Sequence, residues 1–213
     1  MTRRTLAVVS AGLRQPSSTR LLADQLAAAT GDELHRLGIP VDIELTELRE
    51  HAHDLVNHQL AGFPSAALAR VIDTVTGADG MIAVTPIFNA SYSGLFKSFF
   101  DVLPETSLLD KPVLIAATGG TARHSLALEH AVRPLFTYLR AVVVPTSVFA
   151  APEDWAGASA DGALRARGRR AARELAEQLR RREATPAAAD PFALSTTFEQ
   201  LLAAETDQPE RTR

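Results

Sequence analysis

The sequence predicts an α/β fold in which one sheet of parallel strands carries helices on both faces. Short apolar runs, of which residues 5–10 are the first, have the length and continuity of strands buried on both sides. They alternate along the chain with longer stretches of helical composition, such as residues 18–37. The 213 residues suffice for one domain with a substantial core. Together these observations favour a doubly wound parallel sheet.

Five strands and five helices are predicted in alternation. The strands fall at residues 5–10, 41–45, 80–85, 112–117 and 141–149. The helices fall at residues 18–37, 66–76, 94–102, 125–139 and 161–183, with Pro134 expected to interrupt or kink the fourth. Among doubly wound folds we expect a flavodoxin-like, five-stranded parallel sheet of order 2-1-3-4-5. Ligands of such sheets bind beyond the carboxyl ends of the strands, which singles out the loops after strands one, three and four.

Two segments depart from this alternation. Residues 49–64 contain His51, His53 and His58 without a clear period, and no carboxylate is placed to complete a metal site, so a polar loop is expected. Residues 184–213 are expected to form a C-terminal extension beyond a domain of residues 1–183. Two alternatives stay open for the extension: a frayed tail, or a short amphipathic helix over residues 192–204 packed on a partner subunit.

Composition excludes several classes of protein. The 22 basic and 25 acidic residues give a net charge of −3, which provides no basic field for nucleic acid or an anionic membrane. The absence of cysteine excludes disulfides, thiolate metal sites and cysteine nucleophiles. No apolar run approaches the ~20 residues of a membrane span, and the N-terminus leads directly into a strand rather than a signal peptide, so a cytoplasmic protein is expected.

The loop after the third strand is the most informative segment. It contains Pro86, Ile87, Phe88, Asn89, Ala90 and Ser91, and Gly94 opens the next helix. Pro86 lacks an N–H, Phe88 offers a flat apolar face, and Asn89 and Ser91 supply polar groups. A planar heteroaromatic ring with polar edges needs a surface of this mixed character.

The loop after the first strand is rich in hydroxyls. Ser10 ends the strand, Arg14 lies within the loop, and Ser17, Ser18 and Thr19 lead into the helix. Hydroxyls, free N–H groups and the positive end of a helix dipole together suit a phosphate monoester, although a serine-rich capping turn is the alternative. The dinucleotide and nucleoside triphosphate loop motifs are both absent, so a mononucleotide fits better.

The loop after the fourth strand contains Thr118, Gly119, Gly120 and His124. Two adjacent glycines let the backbone approach a ligand closely. Their N–H groups are candidates to bind the pyrimidine-dione edge of a flavin. His124 is either a ligand contact or a helix cap.

These three loops together resemble those of the NAD(P)H-dependent FMN reductase family, which has a flavodoxin-like fold. The family's second motif, roughly Pro-x-Tyr-Asn-x-Ser-x-x-Gly-x-x-Lys, is matched at Pro86, Asn89, Ser91, Gly94 and Lys97, with Phe88 in place of the tyrosine. The first motif is matched at Arg14 and Ser17, and the third loop is similar at Thr118, Gly119 and Gly120. The resemblance covers about residues 5–180.

The resemblance implies FMN as cofactor, NADPH or NADH as hydride donor, and transfer from nicotinamide C4 to flavin N5 without a side-chain nucleophile. It also implies a homodimer or homotetramer, in which Phe96, Phe99 and Phe100 either contact a partner subunit or pack on the sheet. The sequence looks closest to reductases that supply reduced flavin to luciferase-like monooxygenases, an impression carried by residues 10–13 and 118–126. The alternatives are a quinone or azo reductase, a flavodoxin-like electron carrier and a non-enzymatic regulator.

Overall fold

A seven-stranded sheet forms the centre of the molecule. The computed structural model describes residues 3–155 and 160–182. The strands are β1 (Arg4–Ser10), β2 (Val41–Glu47), β3 (Gly80–Phe88), β4 (Ser91–Tyr92), β5 (Pro112–Thr118), β6 (Val142–Val143) and β7 (Val148–Ala150). The main path runs β2-β1-β3-β5-β6 and every pairing along it is parallel. Off this path, β7 pairs parallel with β5, and β4 pairs antiparallel with β3.

Seven α-helices surround the sheet in the described part of the chain. They are α1 (Ser18–Arg36), α2 (Ala52–Ala61), α3 (Ala66–Gly77), α4 (Gly94–Asp101), α5 (Arg133–Tyr138), α6 (Pro152–Trp155) and α7 (Ala160–Arg181). Short 3₁₀ turns at Leu48–His51 and Ala122–His124 and a π-helical turn at Leu128–Val132 complete the elements. No helix among the described residues is long and apolar enough to cross a lipid bilayer.

The expected five-strand sheet of order 2-1-3-4-5 is wrong in its strand count. The third strand continues past Thr85 to Phe88 and folds back through β4, which adds an antiparallel strand. The expected fifth strand is divided into β6 and β7, because residues 144–147 leave the ladder. Arg133 and Glu174 hold this break: Arg133 donates to the carbonyl oxygens of Val144 and Pro145, and Glu174 accepts from the Thr146 N–H at 2.7 Å.

Two helix predictions also need correction. The segment 49–64 is not a polar loop but a 3₁₀ turn followed by α2, anchored by the fully buried Leu55. The fourth predicted helix does not begin at residue 125, because a 3₁₀ turn and a π-helical turn come first. Pro134 is the second residue of α5 and follows the π-helical turn almost directly, so the winding changes from π-helical to α-helical close to the position where an interruption or kink was expected.

Two hydrophobic layers enclose the sheet. On one face α1 and α7 pack against β1, β3 and β5 through Leu26, Leu175 and other buried side chains. On the opposite face α3, α4 and α5 pack through a cluster that includes Phe96, Phe99 and Phe136. Phe96, Phe99 and Phe100 are at most 2% exposed, so of the two readings of these aromatics the packing of the sheet is the one observed. Packing on both faces thus holds the strands β1, β3 and β5, whose carboxyl ends carry the three loops singled out above.

Candidate active site

The three loops singled out from the sequence emerge side by side. In the parallel register Ser10 lies opposite Val84, and Pro86 lies opposite Thr118. Because β3 lies between β1 and β5, the loop after β3 is central and the other two flank it. This is the edge at which doubly wound sheets bind ligands.

The loop after β1 is built closely around the N-terminus of α1. Ser17 caps the helix, and its Oγ accepts from the Arg20 N–H at 3.1 Å. Gly12 is buried against this cap: a Cβ built there would lie 2.1 Å from Ser17 Oγ, so only glycine fits. Ser10 is fully buried, and its Oγ has no hydrogen-bond partner among the described residues. Arg14 and Ser18 are exposed.

A buried hydrogen bond joins the two outer loops. Thr19, on the first turn of α1, lies 2.8 Å from Thr118 at the end of β5, measured between the two Oγ1 atoms. The two threonines are 3% and 4% exposed. Hydroxyls of residues 99 positions apart thus connect the loop after β1 to the loop after β5, which contains Gly119 and Gly120 and is called the glycine loop below.

The central loop is a tight hairpin rather than an irregular connection. Phe88 pairs with Ser91, which leaves Asn89 and Ala90 as a two-residue turn. Both central residues have positive φ, 47° and 67°, as in a type I′ turn. The base of the hairpin is tied by Thr85, whose Oγ1 accepts from the Ser93 N–H at 3.1 Å. Phe88 is 47% exposed, and so an apolar face remains available beside the exposed Asn89.

The glycine loop approaches β7 closely. A Cβ on Gly119 would lie 2.7 Å from Phe149 Cζ, whereas a Cβ on Gly120 would meet nothing within 4 Å. The Gly119 N–H already donates to the Ala150 carbonyl oxygen at 3.1 Å, so it is not available to a flavin as the sequence had suggested. His124 is exposed at the end of the 3₁₀ turn, close to Gly119.

A charged cluster under the first loop was missed by the sequence reasoning. Glu47, the last residue of β2, receives Arg20 Nη1 at 3.3 Å and Arg49 Nη2 at 3.4 Å. A bond to Asp24 is the main cause that raises the pKa of Arg20. With its amide oxygen turned toward Arg49, Gln15 accepts from Arg49 Nη1 at 3.1 Å. Arg20 meets Glu47, and Gln15 meets Arg49, only because β2 lies beside β1, so no local motif could have identified these two contacts.

The residues present fit a phosphate group and a planar ring. The unpartnered Ser10 hydroxyl, the close-packed Gly12 and the capped N-terminus of α1 provide donors and a positive dipole at one place. Phe88 and the hairpin provide an adjoining partly apolar surface. No cluster of three metal-ligating side chains occurs within residues 3–155 and 160–182, so the histidines of α2 and the turn before it assemble no such site.

Comparison with known proteins identifies the family. Residues 4–156 match the NADPH-dependent FMN reductase family. The chain is 38% identical over 147 residues to an FMN reductase (NADPH) of Pseudomonas aeruginosa, covering 69% of this chain and 76% of that one. It is 36% identical over 148 residues to an NADH-dependent FMN reductase of Pseudomonas putida, with coverages of 70% and 77%.

Solved structures agree with this assignment. An oxidoreductase from Corynebacterium diphtheriae shares 43% identity and a TM-score of 0.83, covering 86% of this chain and 100% of that one. A flavodoxin, WrbA-like protein from Agrobacterium tumefaciens, at 19% identity and a TM-score of 0.54, shares the fold over 83% of this chain and 99% of its own. The chain has a flavodoxin-like α/β fold and belongs to the NADPH-dependent FMN reductase family, whose oxidoreductases use FMN with NADPH or NADH.

Proposed function

We propose that the three loops form the FMN site of this reductase, with the phosphate on the loop after β1. The observation that carries this proposal is the unpartnered, fully buried hydroxyl of Ser10 at the end of β1, where the chain enters the loop that leads to the capped N-terminus of α1. A buried polar group without a partner costs free energy, and a phosphate oxygen would satisfy it. Arg14, Ser17, Ser18 and Thr19 complete the proposed phosphate loop, although Thr19 acts mainly through Thr118.

The ring is proposed to rest on the hairpin and the glycine loop. The ring-binding residues are proposed to be Pro86, Ile87, Phe88, Asn89, Ala90 and Ser91. The far edge of the ring is proposed to meet Thr118, Gly119, Gly120 and His124. Since the Gly119 N–H is engaged by Ala150, the open backbone of Gly120 is the better donor for the dione edge.

The bound flavin supplies the hydride-accepting chemistry, and the chain supplies binding and orientation. The β3–β4 hairpin sets the position of the flavin ring relative to the end of the sheet. Its two-residue turn, with both φ values positive, has little conformational freedom. The FMN-binding domain is proposed to comprise residues 1–183, of which the structure describes residues 3–155 and 160–182. The extension 184–213 lies outside the described residues.

We propose further that the reduced FMN serves a partner flavin-dependent monooxygenase in the cytoplasm. The support is the similarity of residues 10–13 and 118–126 to reductases of that type. A homodimer or homotetramer is proposed because the resemblance to the reductase family implies one. A quinone or azo reductase is the second candidate, favoured by 24% identity over 143 residues to an NADPH azoreductase of Bacillus sp..

Anaerobic mixing tests the proposal. Purified protein, FMN and either NADPH or NADH are combined, and the absorbance of oxidised flavin is followed. Rapid bleaching with excess FMN, and recovery of reduced FMN in the ultrafiltrate, would support release to a partner. Bleaching of a retained flavin, followed by faster turnover with a quinone or azo dye than with free FMN, would favour the second candidate. Absence of flavin binding would overturn the assignment of all three loops.

A further inference from the structure

The loop after β1, residues 11–17, is contacted by residues at the end of the neighbouring strand β2 and in the turn that follows it. Glu47 ends β2, and Arg49 lies two residues later in the 3₁₀ turn. Gln15 is an exposed residue of the first loop, and with its amide oxygen turned toward Arg49 it accepts from Arg49 Nη1 at 3.1 Å and also contacts Nη2. The contact therefore reaches from the edge strand of the sheet across to the loop that follows β1.

Arg49 is itself restrained on its other side. Its Nη2 contacts Glu47 Oε2 at 3.4 Å and Glu50 Oε1 at 3.6 Å. The same Glu47 oxygen receives Arg20 Nη1 at 3.3 Å, and Arg20 also pairs with Asp24 at 2.9 Å. Glu47 is thus the shared acceptor of two arginines, Arg20 on α1 and Arg49 in the turn after β2, and its side chain is only 12% exposed.

A planar guanidinium is suited to this position. It presents donors in a fixed fork, and several can be engaged at once by the Gln15 amide and the Glu47 carboxylate. An ammonium at the end of a lysine side chain has no such fixed geometry. The Arg49 Nε is buried and has no partner among the described residues, so the hold on this group rests on its terminal nitrogens.

We infer that Arg49 is a positioning residue for FMN, which sets the conformation of the phosphate loop through Gln15 and is itself held by Glu47. This inference rests on the proposed binding of the FMN phosphate at that loop. Arg49 acts on the loop and not on the ring, so its loss weakens recognition of the phosphate specifically. Riboflavin carries the same ring without the phosphate and is the matched probe.

The test compares dissociation constants for FMN and riboflavin, measured by quenching of flavin fluorescence. For Arg49→Leu and for Gln15→Leu we expect the FMN constant to rise about tenfold and the riboflavin constant to change less than twofold. The double variant is expected to be no weaker than Arg49→Leu alone, because both changes break one contact. Arg49→Lys should restore less than half of the preference for FMN over riboflavin that Arg49→Leu loses. Arg70→Leu, on the exposed surface of α3, is the control.

The outcomes separate this inference from the proposed site. If the unaltered protein binds FMN no more tightly than riboflavin, the phosphate loop is misassigned and both ideas are overturned. If it prefers FMN and Arg49→Leu retains that preference, only the role of Arg49 is overturned. An equal rise for both flavins would show a general structural defect and would also overturn the positioning role. Gln15→Leu guards against misfolding, because Gln15 is exposed.

Discussion

Thr19 and Thr118 share a buried hydrogen bond of 2.8 Å that ties the start of α1 to the end of β5. Both side chains sit where two proposed ligand loops meet. Neither hydroxyl is exposed to water, so the loss of one leaves the other without a partner. The bond therefore couples stability to the geometry of the site.

We predict that Thr118→Val lowers the free energy of unfolding by about 1–3 kcal/mol, because the Thr19 hydroxyl stays buried and unpaired. It should also weaken FMN binding. Chemical denaturation and flavin fluorescence measure the two effects. Thr30→Val is the matched control, since it removes another buried hydroxyl, bonded to Leu26 O at 2.8 Å, far from the loops. A loss of FMN affinity in both variants would contradict the proposed coupling.

The sequence predicted the large elements because the length, continuity and ends of the apolar and helical stretches identify them. The continuous apolar runs of β1, β3 and β5 and the capped start of α1 were sufficient. It missed the β3–β4 hairpin because Asn89-Ala90 lacks the glycine that usually marks such a turn. It missed α2 because Leu55 is the only fully buried anchor of a largely polar segment.

The candidate site residues were chosen from the loops on which they lie, and the structure brings these loops to one edge of the sheet, but the contacts between the loops were not predicted. Thr19–Thr118 and Gln15–Arg49 join residues far apart in the chain, and only the strand order brings them together. The engagement of the Gly119 N–H by Ala150 follows from the course of β7, which the predicted single fifth strand did not reveal. Local patterns identify which residues are chemically suitable, whereas topology decides which remain available.

Gly12 tests the shape of the phosphate loop. Gly12→Ala should place a Cβ 2.1 Å from Ser17 Oγ and 3.1 Å from Thr19 Cβ, so the cap must move. We expect a destabilisation of about 1–3 kcal/mol and at least a tenfold loss of FMN affinity. Gly77→Ala, with nothing within 4 Å of its Cβ at the end of α3, should lower neither the stability nor the FMN affinity. Unaltered FMN binding in Gly12→Ala would show that the loop is not the phosphate site.

Ala90 carries backbone strain that glycine would relieve. Its φ of 67° lies in the left-handed region, which costs a residue with a Cβ roughly 1–2 kcal/mol. Ala90→Gly is therefore expected to raise the free energy of unfolding by about 0.5–1 kcal/mol, after the entropy lost by glycine is counted. Ala163→Gly, in the exposed part of α7, should instead lower it by about 1 kcal/mol. Denaturant midpoints with unchanged slopes measure both.

Two substitutions of Asn89 distinguish the role of its side-chain amide from the role of its backbone conformation. Asn89→Gly keeps the φ of 47° accessible and removes only the amide, whereas Asn89→Ala also strains the turn. If the amide binds the flavin, both variants should weaken FMN affinity or slow its reduction, by about tenfold for a loss of ~1.4 kcal/mol. If only Asn89→Ala is impaired, the residue serves the turn alone. Flavin titration and stopped-flow reduction by NADPH distinguish the two outcomes.

The buried Lys111 is expected to make the stability of the fold depend on pH. Its Nζ donates to the carbonyl oxygens of Val75 and Thr76 at the end of α3, and the residue is 2% exposed. Burial, reinforced by the charge of Arg182 and opposed by Asp79, lowers the pKa of Lys111 from 10.5 to about 8. Between these two values the unfolded chain keeps a proton that the folded chain has released. Stability is therefore expected to rise with pH across this window, by at most about 3 kcal/mol.

The chain offers an internal reference for this titration, because Lys97 and Lys111 are its only lysines. A bond to Asp101 raises the pKa of Lys97, so the two groups shift in opposite directions. With ¹³C-labelled lysine, one side-chain signal should titrate near pH 8 and the other above pH 10.5, and Lys97→Arg assigns them. Lys111→Met should flatten the rise in stability from pH 8 to 10.5. Two signals that titrate together near pH 10.5 would show that the helix carbonyls offset the cost of burying the ammonium.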